Sequence, residues 1–146
     1  MNPIRTILLA EDSQADAEMA IDALSQAHLA NPIVHVEDGV EVMDYLYARG
    51  SWAGRSDGLP AVLLLDIKMP RMDGLEVLQK IRADEQFQRL PVVILSSSRE
   101  ESDLARSWDL GVNAYVVKPV DVDQFFEAIK TLGTFWALIN QPAGGA

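Results

Sequence analysis

The sequence predicts an α/β domain in which a doubly wound sheet of five parallel strands carries helices on both faces. Three observations lead to this prediction: five short apolar runs recur along the chain, segments with helical spacing separate them, and three of the runs are continuously apolar. Continuous apolar runs are typical of parallel strands that are buried on both faces. The predicted strands are residues 7–10, 33–36, 61–65, 92–95 and 114–117.

The first predicted helix runs from Ser13 to about residue 27, because apolar residues recur there three and four positions apart. Ser13 and Asp16 have the spacing of a capping box, in which each side chain satisfies the other residue's backbone N–H. Further helices are predicted over residues 39–49, 75–83 and 102–110, and Gly111 has the position of a helix C-cap.

The last helix should begin near Asp121 and continue to about Asn140. Residues 141–146 are expected to be a disordered tail, so residues 1–140 would form one domain. A glycine-rich loop over residues 50–60 is longer than a minimal connection between a helix and a strand.

Composition excludes several classes of function. The chain of 146 residues has no cysteine, which excludes disulfides and thiolate metal sites, and its formal net charge is −10. Such a charge makes nucleic acid and anionic membranes poor partners. The N-terminus shows no signal-peptide pattern and no apolar run is as long as a membrane span, so we expect a cytoplasmic protein.

Polar residues follow four of the predicted strands. Glu11 and Asp12 follow the first, Asp66 the third, Ser96 the fourth and Lys118 the fifth. The carboxyl ends of parallel strands meet at one edge of a sheet, where α/β folds place their sites. Carboxylate oxygens favour magnesium, and a carboxylate can also be the nucleophile that forms an aspartyl phosphate. Each residue alone has an ordinary explanation as a turn or a cap, but their joint occurrence predicts a phosphoryl-transfer site.

Five stretches of the chain carry a resemblance to a known family. They are Ile7-Leu8-Leu9-Ala10-Glu11-Asp12, Leu63-Leu64-Leu65-Asp66-Ile67-Lys68-Met69-Pro70, Met72-Asp73-Gly74, Pro91-Val92-Val93-Ile94-Leu95-Ser96 and the run from Gly111 to Pro119. With these motifs, in this order, the chain resembles the CheY-like receiver domain of two-component response regulators. The resemblance implies a flavodoxin-like (βα)₅ fold with strand order 2-1-3-4-5, and a phosphoryl donor that is a histidine kinase.

The resemblance also implies roles for individual residues. Asp66 would be the phosphoacceptor. A Mg²⁺ ion would be held by Asp12, Asp66 and the backbone carbonyl of Lys68, with help from Glu11 through water. Lys118 would contact the phosphoryl group.

A switch is implied as well. The Ser96 hydroxyl would contact the phosphoryl group and move with it, and Tyr115 would be the aromatic residue that changes rotamer. Such a protein is a signalling switch rather than a turnover enzyme, with at most slow self-dephosphorylation.

The C-terminal half carries more apolar surface than one core needs, which predicts a homodimer. Its predicted partner surface comprises Leu104, Trp108, Tyr115, Phe126 and Phe135. Phe135-Trp136 and the long loop over residues 50–60 resemble the stand-alone regulators that partner phytochrome-type histidine kinases. No room for a DNA-binding output domain is expected after the last helix.

Two other functions would use similar residues. A phosphohydrolase of the haloacid-dehalogenase type would also place an aspartate nucleophile after an apolar strand, but it needs a second aspartate two residues later. That position is Lys68, which cannot exchange protons in the same way near neutral pH. A flavin or nucleotide-binding domain would need a glycine-rich phosphate loop after the first strand, where Glu11 and Asp12 would repel phosphate.

Overall fold

Five parallel strands form one sheet with the order β2-β1-β3-β4-β5, as the sequence predicted. The structure, a computed structural model, describes residues 5–26, 31–56, 58–97, 101–118 and 121–130. The elements are β1 Ile7–Ala10, α1 Gln14–Gln26, β2 Ile33–Val36, α2 Gly39–Tyr47, a 3₁₀ turn Gly50–Trp52, β3 Val62–Asp66, α3 Gly74–Ala83, β4 Val92–Ser96, α4 Glu101–Asp109, β5 Ala114–Val117 and α5 Val122–Lys130.

Alternate residues of each strand supply two separate cores, one on each face of the sheet. Leu8 and Leu63 pack into the core under α2 and α3, whereas Leu9, Leu64 and Phe125 pack into the core under α1 and α5. All five are at most 1% exposed. Burying a leucine stabilises the fold by roughly 1.5–3 kcal/mol, so these two layers hold the central strands rigidly.

β3 and β4 are each one residue longer at the carboxyl end than the apolar runs indicated. Asp66 pairs with Leu95, and Ser96 pairs with Val117. The apolar pattern stops because a polar residue follows, while the ladder of backbone hydrogen bonds continues. Asp66 and Ser96 therefore lie within the sheet rather than in the loops after it.

The predicted capping box at α1 is half wrong. Ser13 Oγ does accept from the N–H of Asp16 at 3.2 Å. The N–H of Ser13, however, donates to Glu11 Oε2 at 3.2 Å. The Asp16 carboxylate instead accepts a hydrogen bond from Lys118, because a buried ammonium attracts it more strongly than a backbone amide does.

Two other helix ends differ from the prediction or lie beyond the described chain. α2 stops at Tyr47 instead of residue 49, because Ala48 adopts a left-handed conformation with φ of 54°. α5 is described from Val122 to Lys130, so the predicted end of that helix and the predicted tail lie outside the described residues. Gly111 is the C-cap of α4 as predicted, with φ of 90° and its N–H donating to Trp108 O.

The loop before β3 is more ordered than its glycine content indicated. It opens with the 3₁₀ turn Gly50–Trp52. Arg55 then donates to Tyr45 O at 2.9 and 2.6 Å and to Gly58 O at 2.7 Å. The same guanidinium group lies 3.9 Å from the centre of the Tyr45 ring. This loop is therefore fastened to α2.

Within the described part of the chain, no helix is both long enough and apolar enough to cross a bilayer.

Candidate functional site

Four strand ends bring polar side chains together at the carboxyl edge of the sheet. Glu11 follows β1, Asp66 ends β3, Ser96 ends β4 and Lys118 follows β5. Glu11, Asp66 and Ser96 are 2%, 6% and 2% exposed, respectively. Because Ala10 pairs with Leu65, the parallel register places Glu11 directly beside Asp66. Three of these four side chains are therefore buried where most polar groups would stay in water.

The carboxylates of Glu11, Asp12 and Asp66 form a cluster that can hold a metal ion. One oxygen from each lies within 4.8 Å of the others, and Asp12 is the exposed member. A set of hard oxygen donors that opens to solvent on one side fits Mg²⁺, which keeps several water ligands. Lys68 lies in the loop after β3 with its side chain exposed, and the coordination of a metal by its carbonyl stays a prediction.

Lys118 lies among the carboxylates, with its side chain only 11% exposed. Its Nζ contacts Glu11 Oε1, lies 2.9 Å from Asp16 Oδ2 and lies 3.4 Å from Asp66 Oδ1. The ammonium therefore partly neutralises three anions. Asp16 also belongs to this cluster, although the sequence pattern indicated that it caps the first helix. Its position one helical turn after Asp12 was the signal that places it at the same edge.

The pKa values of the two central groups follow from this packing. Burial first and then the nearby charge of Glu11 raise the pKa of Asp66 to about 7, although the charge and hydrogen bond of Lys118 lower it. Burial on its own would lower the pKa of Lys118, but hydrogen bonds to Glu11 and Asp16, with the charge of Asp66, raise it to about 12. At neutral pH Lys118 is therefore a cation, and any added positive charge near Asp66 favours its anionic form.

The loop between β3 and α3 is held in one conformation. The N–H of Gly74 donates to Ile67 O at 2.7 Å, and a Cβ on Gly74 would lie 2.2 Å from Asp66 O, so only glycine fits there. Arg71, with φ of 65°, donates from Nε to Asp38 Oδ2 at 2.9 Å. Asp38 also caps α2 by accepting from the N–H of Glu41 at 2.8 Å. No local sequence signal marks this ion pair, because its partners are 33 residues apart in the chain.

The predicted partner surface is described only in part. Trp108 is 53% exposed on α4, Leu104 is partly exposed, and Tyr115 is half-buried on β5. A groove of about 620 Å³ lies beside them, with Trp108, Tyr115 and Val117 in its lining. The side chain of Phe126 and the whole of Phe135 lie outside the described residues. A different groove of about 720 Å³, between the ends of α2 and α3, contains none of the strand-end residues.

Comparison with known proteins agrees with this geometry. The family model of the response regulator receiver domain matches residues 7–130. Response regulator Rcp1 of Synechocystis is 33% identical over 92% of this chain and 90% of its own length.

Solved structures are similar over nearly the whole chain. The bacteriophytochrome response regulator AtBRR is 54% identical with a TM-score of 0.87, covering 94% of this chain and 99% of its own. The phosphorylated cyanobacterial phytochrome response regulator RcpA is 39% identical with a TM-score of 0.76, covering 92% and 94%. The Mn²⁺-bound form of Rcp1 has a TM-score of 0.75 at 32% identity, covering 91% and 94%.

Proposed function

This chain belongs to the response regulator receiver domain family, and on that premise we propose that Asp66 accepts a phosphoryl group from a histidine kinase in a Mg²⁺-dependent reaction. One observation carries the proposal: Asp66 is buried at the end of the central strand, within 4.8 Å of two other carboxylates and 3.4 Å from the Lys118 ammonium. A lone buried aspartate would be costly, whereas a nucleophile between a cation site and an ammonium is ready for phosphoryl transfer.

In the proposed reaction an Asp66 oxygen attacks the phosphorus of a phosphohistidine. The P–O bond forms as the P–N bond breaks, and the electron pair of that bond returns to the imidazole. Lys118 neutralises charge on the phosphoryl oxygens, and the Ser96 hydroxyl donates a hydrogen bond to one of them. Bound Mg²⁺, held by Asp12, Asp66 and the carbonyl of Lys68 with Glu11 nearby, would neutralise the remaining charge.

Intact mass spectrometry tests the acceptor assignment. Wild-type protein incubated with acetyl phosphate and MgCl₂ should gain one phosphoryl group, and chelation of the metal should prevent the gain. Asp66→Asn should gain none. Asp73→Asn is the matched control, because Asp73 lies in the same loop but caps α3 and asparagine can replace it as a cap. An Asp66→Asn variant that is phosphorylated to the same extent as wild type would contradict the assignment.

The phosphoryl group is proposed to switch protein contacts through Ser96 and Tyr115. Ser96 is buried at the end of β4, and Tyr115 lies on the neighbouring strand β5 beside the 620 Å³ groove. Movement of the Ser96 hydroxyl toward the phosphoryl group would let Tyr115 change rotamer and reshape that groove. Structures with and without a phosphoryl mimic test this step, and identical positions of both side chains would contradict it.

We further propose that the kinase is of the phytochrome type. The support is the similarity to AtBRR and RcpA, which are phytochrome response regulators. Phosphotransfer measured against each histidine kinase of the source genome tests this, and a phytochrome-type kinase should transfer fastest.

We also propose that the protein acts in the cytoplasm, with the receiver domain over residues 1–140 and a tail over 141–146.

The protein is also proposed to act as a homodimer through its C-terminal half. An indole that is 53% exposed beside an apolar groove supports this, because burying such a side chain contributes on the order of 2–3 kcal/mol. Sedimentation equilibrium at micromolar concentration should show a dimer that Trp108→Ala weakens. A strictly monomeric wild type would contradict dimerisation.

A further inference from the structure

We propose that Asp16 is a positioning residue for the metal-dependent reaction: it holds the Lys118 ammonium toward α1, so that the ammonium does not close on Asp66. This inference rests on the proposed function, because it concerns the access of a divalent cation to Asp66.

Three carboxylates share one ammonium, and they are not equivalent. Glu11 and Asp66 come from strand ends, and their side chains are 2% and 8% exposed. Asp16 comes from the first turn of α1, and its side chain is 39% exposed. Lys118 Nζ donates to Asp16 Oδ2 at 2.9 Å, whereas Asp66 Oδ1 lies 3.4 Å away. The ammonium, which also contacts Glu11 Oε1, therefore lies closer to Glu11 and Asp16 than to the proposed phosphoacceptor Asp66.

The longer distance to Asp66 has a chemical consequence. Charge-assisted hydrogen bonds normally span about 2.7–2.9 Å, so the pair between Lys118 and Asp66 is stretched. A fully closed ion pair would occupy an Asp66 oxygen and place a positive charge where a divalent cation has to bind. With Asp16 present, the Asp66 carboxylate stays available to the cation. Lys118 nevertheless remains close enough to reach a phosphoryl oxygen.

The side chain of Asp16 is directed to this contact and not to the helix that carries it. The backbone N–H that a capping box would assign to it belongs to Ser13, and that N–H donates to Glu11. The contact with Lys118 joins α1 to the end of β5, 102 residues away in the sequence. Since the lysine side chain is only 11% exposed, solvent screens this pair less than an ordinary surface ion pair.

Calorimetric titration with MgCl₂ tests the proposal without any phosphoryl donor. Asp16→Asn should bind Mg²⁺ about three- to tenfold more weakly than wild type, the size expected when a unit charge moves closer to a divalent cation by roughly 0.5 Å at a partly solvated site. Asp22→Asn is the matched control: it removes the same charge from the same helix, but Asp22 is exposed and its carboxylate accepts from Gln26 one turn on. Equal affinity in Asp16→Asn and wild type would overturn the positioning role.

A double-mutant cycle separates positioning from simple charge. In a Lys118→Met background, Asp16→Asn should change Mg²⁺ affinity by less than about twofold, because there is no ammonium left to position. If Asp16 acted only through its own negative charge, Asp16→Asn would weaken binding by the same factor in both backgrounds, and the proposal would be wrong.

A crystal structure of Asp16→Asn gives a second measurement that does not depend on the Lys118 variant folding. The distance from Lys118 Nζ to Asp66 Oδ1 should shorten from 3.4 Å to about 2.9 Å. An unchanged distance would overturn the proposal. Failure of wild-type protein to bind Mg²⁺ would contradict the proposed function and this inference together, whereas normal binding by wild type and by Asp16→Asn would contradict the inference alone.

Discussion

At the amino-terminal edge of the sheet, guanidinium groups bond to backbone carbonyls, whereas at the carboxyl edge one ammonium is shared among three carboxylates. Arg5 donates to Leu59 O and Pro60 O ahead of β3. Arg82 donates to Leu90 O at 2.7 Å, to Gly111 O at 2.8 Å and to Asn113 Oδ1 at 2.8 Å, ahead of β4 and β5. These contacts satisfy neutral acceptors, so like charges are not crowded together among the groups that they join.

The carboxyl edge has the opposite character. Burial raises the pKa of Asp66 to about 7, which means that the folded state disfavours the charge on that carboxylate. Stability and reactivity therefore lie at opposite edges of the sheet. Arginine hydrogen bonds at one edge stabilise the sheet, and the repulsion among the carboxylates at the other edge is relieved when a divalent cation binds.

The largest expected effect on stability comes from the amino-terminal edge. Arg82→Ala removes a side chain that joins α3 to the starts of β4 and β5, and it leaves partly buried acceptors such as Leu90 O without this donor. Chemical denaturation should show a loss of about 2–4 kcal/mol in the free energy of unfolding. Phosphoryl acceptance by the remaining folded protein should be unchanged.

Arg89→Ala is the control for Arg82→Ala. Arg89 is exposed in the same region, so its removal should change the free energy of unfolding by less than about 0.5 kcal/mol. If Arg82→Ala and Arg89→Ala lowered the free energy of unfolding equally, the hydrogen bonds of Arg82 would not be what stabilises this edge of the sheet.

At the carboxyl edge, Asp66→Asn is expected to change the free energy of unfolding by less than Arg82→Ala does and in the opposite direction. The folded-state pKa of Asp66, about 7, lies above its ordinary value of 3.8. Between these values the unfolded chain has lost the proton that the folded chain retains, so wild-type stability falls as the pH rises through this window. Asp66→Asn cannot titrate and avoids this loss. It should therefore be more stable than wild type by about 1–2 kcal/mol near pH 8, after discounting for solvent screening.

Thermal unfolding at several pH values in metal-free buffer measures this difference. The two proteins should become equally stable only below about pH 3, which lies under the ordinary pKa of 3.8, so that the carboxyl is protonated in both states of the wild type. Added Mg²⁺ should narrow the difference at high pH, because the cation stabilises the Asp66 anion of the wild type only. A stability difference that is constant over the whole pH range would contradict the assignment.

The smallest expected change in the free energy of unfolding comes from a single hydroxyl group at the amino-terminal edge. Tyr45→Phe removes only the hydrogen bond between the Tyr45 hydroxyl and Thr6 Oγ1, which spans 2.9 Å. The ring keeps its edge-to-face contact with Trp52. Unfolding measurements should show a loss of about 0.5–1.5 kcal/mol. Tyr47→Phe removes the hydrogen bond from a more exposed hydroxyl to the Asp84 carboxylate. It should cost less because solvent screens that pair, and the reverse order would contradict the account.

The sequence predicted the fold well because its signals are local. A short apolar run marked each strand, three of the five being continuous, and Gly111 marked the end of α4. The strand ends were placed one residue early at Asp66 and Ser96, because hydropathy reports burial and these buried residues are polar. The end of α2 was placed two residues late, since the left-handed conformation of Ala48 has no signature in an alanine.

The candidate site was predicted only as far as strand ends can be aligned from sequence. Glu11, Asp12 and Asp66 come together because parallel strands end at one edge. Asp16 was assigned to a cap because the capping pattern involves only neighbouring residues. Its actual partner, Lys118, lies 102 residues away in the sequence. The choice between a local and a distant partner depends on burial of the ammonium, which a sequence pattern does not contain.

The most direct test of Asp66 as the phosphoacceptor is to locate the phosphoryl group on the chain. Wild-type protein phosphorylated with acetyl phosphate and MgCl₂ would be reduced with borohydride, which converts an aspartyl phosphate into homoserine, and then digested and sequenced by mass spectrometry. The account predicts homoserine at position 66 and at no other aspartate. Conversion at Asp12 or Asp73 instead, with Asp66 intact, would contradict it.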